Sequence, residues 1–403
     1  MLVPKLRFKE FNDVWNKISL KDTFSFYNTN SLSRADLSKE GIIKNIHYGD
    51  IHQRFNNILD VKKEDLPYIK STIKSNIDNE DNFCQDGDLI FADASEDYKG
   101  IGKAVEIINI GSNRVVSGLH TILARDINKI MSIGFKGYLF NTPIVHNQIR
   151  VLANGFKVYG ISKNNIYDLD IKIPSKVEQE KIASFLSLLD KKIELQKQKI
   201  EALKIYKTGL IEKYFDCKNG EKTKISEILE EVENKTTENN QYDVISSTKD
   251  GLFLQKEYFN RSIASDDNSG YKILKKNQIV FSPQNLWMGN INYNNKYEIG
   301  IVSPSYKVFD INKKFDKDYI SYLLKTNKAI YYYTINSEQG ASIVRRNLNI
   351  ESFYEINFII PDIVEQEQKG NLINKISSKI ENEENKYKKL NKFKKGLLQK
   401  MFI

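Results

Sequence analysis

The octet Ile173-Pro174-Ser175-Lys176-Val177-Glu178-Gln179-Glu180 returns later in the chain as Ile360-Pro361-Asp362-Ile363-Val364-Glu365-Gln366-Glu367, a shift of 187 residues. The same shift lays Leu203 on Leu390, Tyr206 on Phe393, Gly209 on Gly396, Leu210 on Leu397 and Phe215 on Phe402, with no gap. Within the first copy, Ile182, Leu186, Leu189, Ile193, Gln196, Ile200, Leu203, Lys207, Leu210 and Tyr214 recur in steps of four and three. The second copy does the same at Lys369, Ile373, Ile376, Ile380, Glu383, Tyr387, Leu390, Lys394, Leu397 and Met401. Such a stripe is a heptad seam. Each copy opens on a proline and an acidic cluster and closes on lysines, which matches the polarity of a helix dipole. Two long helices are therefore predicted, pairing as an antiparallel coiled coil with Gln196 near Glu383 as a polar layer that fixes register. At about 1.5 Å per residue, a helix of roughly 40 residues spans about 60 Å, longer than the ~34 Å of one DNA turn.

The helices divide the chain into a first globular segment (1–173), a central helix (174–219), a second globular segment (220–360) and a C-terminal helix (361–403). In the first segment, Asp88–Ala92 and Lys103–Ile108 read as strands between Gly/Asp/Ser turns. Gln278–Ser282, Gly289–Tyr293 and Gly300–Ser303 echo them in the second. Val116–His120 has a counterpart in Val302–Tyr306, and Gly137–Thr142 in Ile320–Thr326, with an offset that drifts by a few residues, as loop insertions would cause. The expected fold is α+β, with two tandem mixed α/β domains separated by two long paired helices in a pseudo-two-fold arrangement. A duplicated frame that diverged little carries globular segments that diverged much, which suggests two readers on one frame. A helical hairpin that merely dimerises the protein would not explain why each helix follows a similar globular segment.

With 61 Lys+Arg against 52 Asp+Glu the net charge is +9, which favours polyanionic partners, nucleic acid first. A base-composition bias toward Lys, Asn and Ile would give the same excess. The two cysteines, Cys84 and Cys217, lie far apart, so neither a disulfide framework nor a zinc site is encoded and a reducing cytoplasm fits. No run of 18 apolar residues provides a membrane span.

There is no NPPY- or DPPY-like methyltransferase motif, no glycine-rich cofactor loop after a strand and no GxxxxGK[ST] phosphate loop, so no catalytic residue and no cofactor is assigned. Gly100-Ile101-Gly102-Lys103 has the wrong spacing for a phosphate cradle and reads as a turn between strands. His47, His52, His120 and His146 lack metal-ligand spacing, so no metal is assigned. Base edges are read by Arg, Lys, Asn and Gln. In the first segment Lys44–Arg54 mixes such groups with aromatics, and His47, Tyr48, Gln53 and Arg54 are the preferred contacts; an ordinary polar loop accounts for the same residues. In the second, Ser282, Gln284, Asn285 and Trp287 form one candidate loop, while Arg345 and Arg346, after Gln339-Gly340-Ala341, suit phosphate anchoring.

The tandem layout resembles the specificity subunits of type I restriction-modification enzymes over essentially the whole chain. Val3-Pro4-Lys5-Leu6-Arg7-Phe8 with Phe11 and Trp15 is similar to how many such subunits begin, and Gly87-Asp88-Leu89-Ile90-Phe91 followed by Gly100–Lys103 resembles their repeated domain signature. The second domain departs from it: Gln278 replaces the acidic residue, and Ser282–Trp287 follows where GxGK would stand. The resemblance implies two target-recognition domains, each reading half of a bipartite site in double-stranded DNA. It also implies helices that dock two methyltransferase subunits and, where present, restriction subunits. S-adenosylmethionine, ATP and magnesium would belong to those partners. The rival readings are a structural or regulatory coiled-coil protein that binds DNA without sequence preference, and a self-sufficient DNA enzyme.

Overall fold

The computed structural model describes residues 3–73, 79–155, 157–258, 267–339 and 345–403. The heptad segments form helices at Lys176–Phe215 and Ile363–Lys400. The chain divides into two compact units, one of residues 1–196 with 386–403 and one of residues 197–385, so each long helix contributes its two halves to different units.

In the first unit, Phe24–Tyr27, Thr121–Asp126, Leu89–Ala92, Ala104–Ile108 and Ile58–Asp60 lie side by side in that order. Leu89–Ala92 is buried along its whole length because both faces are covered, which explains its unbroken apolar run. A second sheet places Arg114–Ser117 parallel to Ile43–Ile46. The segment is closed by its ends: Asn16–Ile18 pairs antiparallel with Ile171–Ile173, just before the long helix starts.

The second unit repeats this order. Leu229–Glu231, Lys307–Ile311, Ile279–Phe281 and Ile291–Tyr293 form its sheet, and Glu221–Lys224 pairs with Asn357–Ile360 to close it. Even the caps recur: Thr142 starts the helix Pro143–Leu152 by accepting from the Val145 N–H, and Thr326 starts Asn327–Ile335 by accepting from Ala329.

The long helices pair antiparallel inside each unit. In the first, Lys394 binds Asp190 at 2.5 Å, while Ile182, Leu186, Leu189, Leu397 and Met401 are buried in one apolar cluster that Ile193 and Leu390 flank. In the second, Lys199 binds Glu383 at 3.0 Å, and further along Leu210 packs on the cluster holding Ile373. Ile200, Ile373 and Ile380 are buried, as is Glu383; Gln196, Leu203, Ile376 and Tyr387 are half-buried. Tyr214, at the end of the first stripe, points to solvent, and its neighbour Phe215 is the ring that docks. Phe215 stacks on Tyr319 at 4.8 Å, and its repeat partner Phe402 packs against Phe135 and Trp15.

The repeated glutamine of the opening octet has the same task twice. Gln179 donates to the Pro174 carbonyl at 3.0 Å and accepts the Ser132 N–H at 2.8 Å. Gln366 donates to Pro361 at 2.8 Å and accepts the Asp316 N–H at 3.0 Å. Each fastens the start of a long helix to its own globular domain, and each is buried.

Candidate nucleic-acid interface

The sheet that carries the candidate loops is held by a polar pair whose chemistry inverts between the units, with the carboxylate buried in the first and exposed in the second. In the first, Arg125 donates twice to Asp88, at 2.9 and 2.8 Å, and Asp88 accepts the Gln85 N–H at 2.8 Å. In the second, the strand neighbours at the same register are Gln278 and Asp310: Gln278 donates to Asp310 at 3.0 Å and accepts the Lys275 N–H at 2.7 Å. The missing acid of the second signature is thus relocated to the neighbouring strand. The Gly100–Lys103 stretch is a turn: Gly102 has φ +69°, with Ile149 2.5 Å from where a Cβ would stand. Lys103 donates to the carbonyls of His52 and Phe55, at 3.3 and 2.8 Å, and burial lowers its pKa.

Of the first-unit candidates, His47 is buried and caps the helix Tyr48–Gln53, accepting the Gly49 N–H at 3.1 Å through Nδ1. Burial and then the nearby Arg34 hold its pKa below the ordinary value, which keeps the ring neutral. Tyr48 is half-buried, 4.6 Å from the His47 ring and edge-on to His120 at 5.3 Å. Arg54 is exposed but tethered, donating to the Asp65 carbonyl at 2.9 Å and lying 3.7 Å from Asp50. Gln53 is exposed. His120, which in the sequence is one of four histidines without metal-ligand spacing, is an exposed residue at φ +54° whose Nδ1 lies 3.3 Å from Asp93. Only its mirrored place opposite Tyr306 in the drifting repeat could have drawn attention to it.

In the second unit Ser282 is buried, Gln284 is exposed, and Asn285 and Trp287 are half-buried. The structure brings this loop onto Arg346, distant in sequence: the Arg346 N–H donates to the Gln284 carbonyl at 3.2 Å, and its guanidinium lies 5.0 Å from the Trp287 ring centre, a cation–π contact. Arg345 is exposed. Gly340 and Ala341 lie outside the described residues.

Among the described residues no group of three or more His, Cys, Asp or Glu could hold a metal ion, and no helix is long and apolar enough to cross a membrane. Cys84 and Cys217 are both free.

Residues 12–204 match the family model described as the type I restriction modification DNA specificity domain. The chain is similar in fold to the S subunit of a type I restriction-modification system from M. genitalium, over 100% of this chain and 99% of that one, with a TM-score of 0.52 at 16% identity. A second similar structure, solved in work on complex assembly and conformational transition of the type I R-M system, has a TM-score of 0.57 at 10% identity and covers 95% of this chain and 96% of its own. Residues 12–204 thus match a type I restriction modification DNA specificity domain, and the chain shares its fold from end to end with a type I S subunit.

Proposed function

We propose that the chain is the non-catalytic, DNA-reading subunit of a type I complex, each globular domain contacting one half of a bipartite site. The paired helices set the spacing of the halves and dock two methyltransferase subunits and, where the system has them, restriction subunits. The observation that carries this reading is the repetition of one sheet order, 24–27/121–126/89–92/104–108 and 229–231/307–311/279–281/291–293, each domain fastened to its own long helix by the same buried glutamine. Duplicated domains suit a site with two parts, and their divergent loops suit halves of different sequence.

Support for two copies of one docking partner comes from the repeat itself. Tyr206 and Phe393 occupy the same repeat position and are 57% and 54% exposed. Three residues on, Gly209 and Gly396 leave open space around the backbone. A ring beside a bare helix face, presented twice, is a surface that a partner helix can approach closely.

The test compares the DNA methylomes of cells with and without the gene for this chain. Loss of one split, two-part methylated motif is the expected result. An unchanged methylome in cells that express the chain favours a coiled-coil protein that binds DNA without specificity, which would show a salt-dependent affinity but no preferred sequence.

A further inference from the structure

The hairpin between the two inner sheet strands carries an aromatic ring in both units, tied through its own hydroxyl in the first and held through its backbone carbonyl and an overlying guanidinium in the second. In the first unit the hairpin joins Leu89–Ala92 to Ala104–Ile108, and Ala94–Ser95 on it pairs with Tyr159–Gly160. Tyr98 lies 5.2 Å from the Tyr159 ring and donates to the carbonyl of Arg150, near the end of the helix Pro143–Leu152, at 3.0 Å. In the second unit the hairpin joins Ile279–Phe281 to Ile291–Tyr293, and Arg346, which opens a strand paired with Ser337–Gln339, donates its N–H to the hairpin at the Gln284 carbonyl. Trp287 lies under Arg346, and Thr334, near the end of the helix Asn327–Ile335, donates to the Trp287 carbonyl at 3.5 Å and accepts from Arg346 at 3.3 Å. Tyr159 and Arg346 are separated by the 187-residue shift of the long helices, so the residues packed on the two rings correspond in sequence.

At the 187-residue shift Tyr159 becomes Arg346, and the ring that each of them covers moves two places along the hairpin, from Tyr98 to Trp287, 189 residues on. Elsewhere the repeat conserves the task with the chemistry, as at Gln179 and Gln366. Tyr98 is 45% exposed although its hydroxyl is tied down, and a rigid, half-buried ring can present a flat face to a groove at little entropic cost. The first-unit candidates nearer the start of the chain are less free, since His47 is buried in a cap and Arg54 is tethered.

We infer that Tyr98 and Trp287 are equivalent specificity-determining contacts, each meeting base edges of its own half-site in duplex DNA, with Tyr159 and Arg346 as the residues that position them. The inference rests on the reading of the chain as a bipartite-site reader. The experiment expresses the full chain with its native methyltransferase partners in cells lacking the gene, and maps methylated motifs for wild type, Tyr98→Ala and Trp287→Ala. Tyr98→Ala is expected to relax one half of the motif, with discrimination at one or two positions falling about tenfold, and to leave the other half and the spacer intact. Trp287→Ala is expected to do the same to the other half. The retained half shows that chain and complex are assembled. A wild-type motif in both variants, or equal fading of both halves with an unchanged melting temperature, overturns the inference. Where an alanine variant melts early, Tyr98→His and Trp287→Phe replace it: a changed preference in one half supports the inference and an unchanged motif overturns it. Failure of the underlying reading looks different, because the strain lacking the gene would then keep the wild-type methylome.

Discussion

Asp88 and Arg125 show how much a single pair can hold. The carboxylate is 2% exposed and the guanidinium 12%, so each is desolvated and depends on the other. Removing one partner leaves a buried charge, which costs about 3–5 kcal/mol. Arg125→Asp should be worse than a simple deletion, because it puts two carboxylates face to face. The second unit supplies the remedy: installing its arrangement, Asp88→Gln together with Arg125→Asp, should be markedly more stable in urea unfolding than Arg125→Asp alone. A double-mutant cycle measures the coupling, and additive losses would sink the idea that the two units solve one problem with exchanged partners. The exchange also explains why the second domain signature was hard to read. Gln278 looks like a lost acid in one strand, and its compensation at Asp310 lies 32 residues away on the neighbouring strand, a pairing that no local pattern displays. Candidate contacts were hidden for the same reason. Arg54 and His47 have the right chemistry for DNA, but their engagement with Asp65 and Gly49 is a property of the fold. Tyr98 is an unremarkable tyrosine until Tyr159 and Arg150 are brought beside it.

The long helices carry the most legible signal in the chain, and the structure shows what their repeated octet is for. Gln179 and Gln366 each satisfy one backbone N–H and one proline carbonyl at the junction of helix and domain. Replacing either by Leu keeps the volume roughly similar but strands both backbone groups, each worth about 1–3 kcal/mol when left buried and unpaired. Gln366→Leu should therefore lower the unfolding free energy by about 3 kcal/mol and speed hydrogen exchange at the Asp316 amide, while Gln179→Leu does the same at Ser132. Exchange that stays slow at those amides would mean that the glutamines do not fasten the helices. The helix bounds were readable because a seam repeats over many turns and a proline marks each start; Lys176 and Ile363 open the helices two residues after Pro174 and Pro361. Short strands such as Leu89–Ala92 and Ile279–Phe281 were readable as apolar runs between turns. Their order was not, nor was the parallel pairing of Arg114–Ser117 with Ile43–Ile46, because strand neighbours are chosen by long-range packing and leave no mark in either segment alone.

At the scale of the whole molecule, the duplication gives two similar domains and two similar helices, and each helix begins in one compact unit and ends in the other. If the paired helices set the distance between half-sites, that distance should follow their length. Adding seven residues to both helices, between Gln196 and Lys197 and between Asn385 and Lys386, inserts one heptad at each unit boundary and returns the seam to nearly the same face, with a drift of about 20°. The insertion lengthens each helix by about 10.5 Å, roughly the rise of three base pairs at ~3.4 Å each. The methylated motif should keep both of its halves and gain about three base pairs of spacer. Three base pairs also turn the duplex by about 100°, which a drift of about 20° does not follow, so methylation of the lengthened motif should be less complete than that of the original. The same heptad in one helix alone puts its seam out of step with its partner and should abolish methylation. A motif whose spacer is unchanged by the paired insertion, in cells where methylation persists, would show that something other than the helices sets the gap.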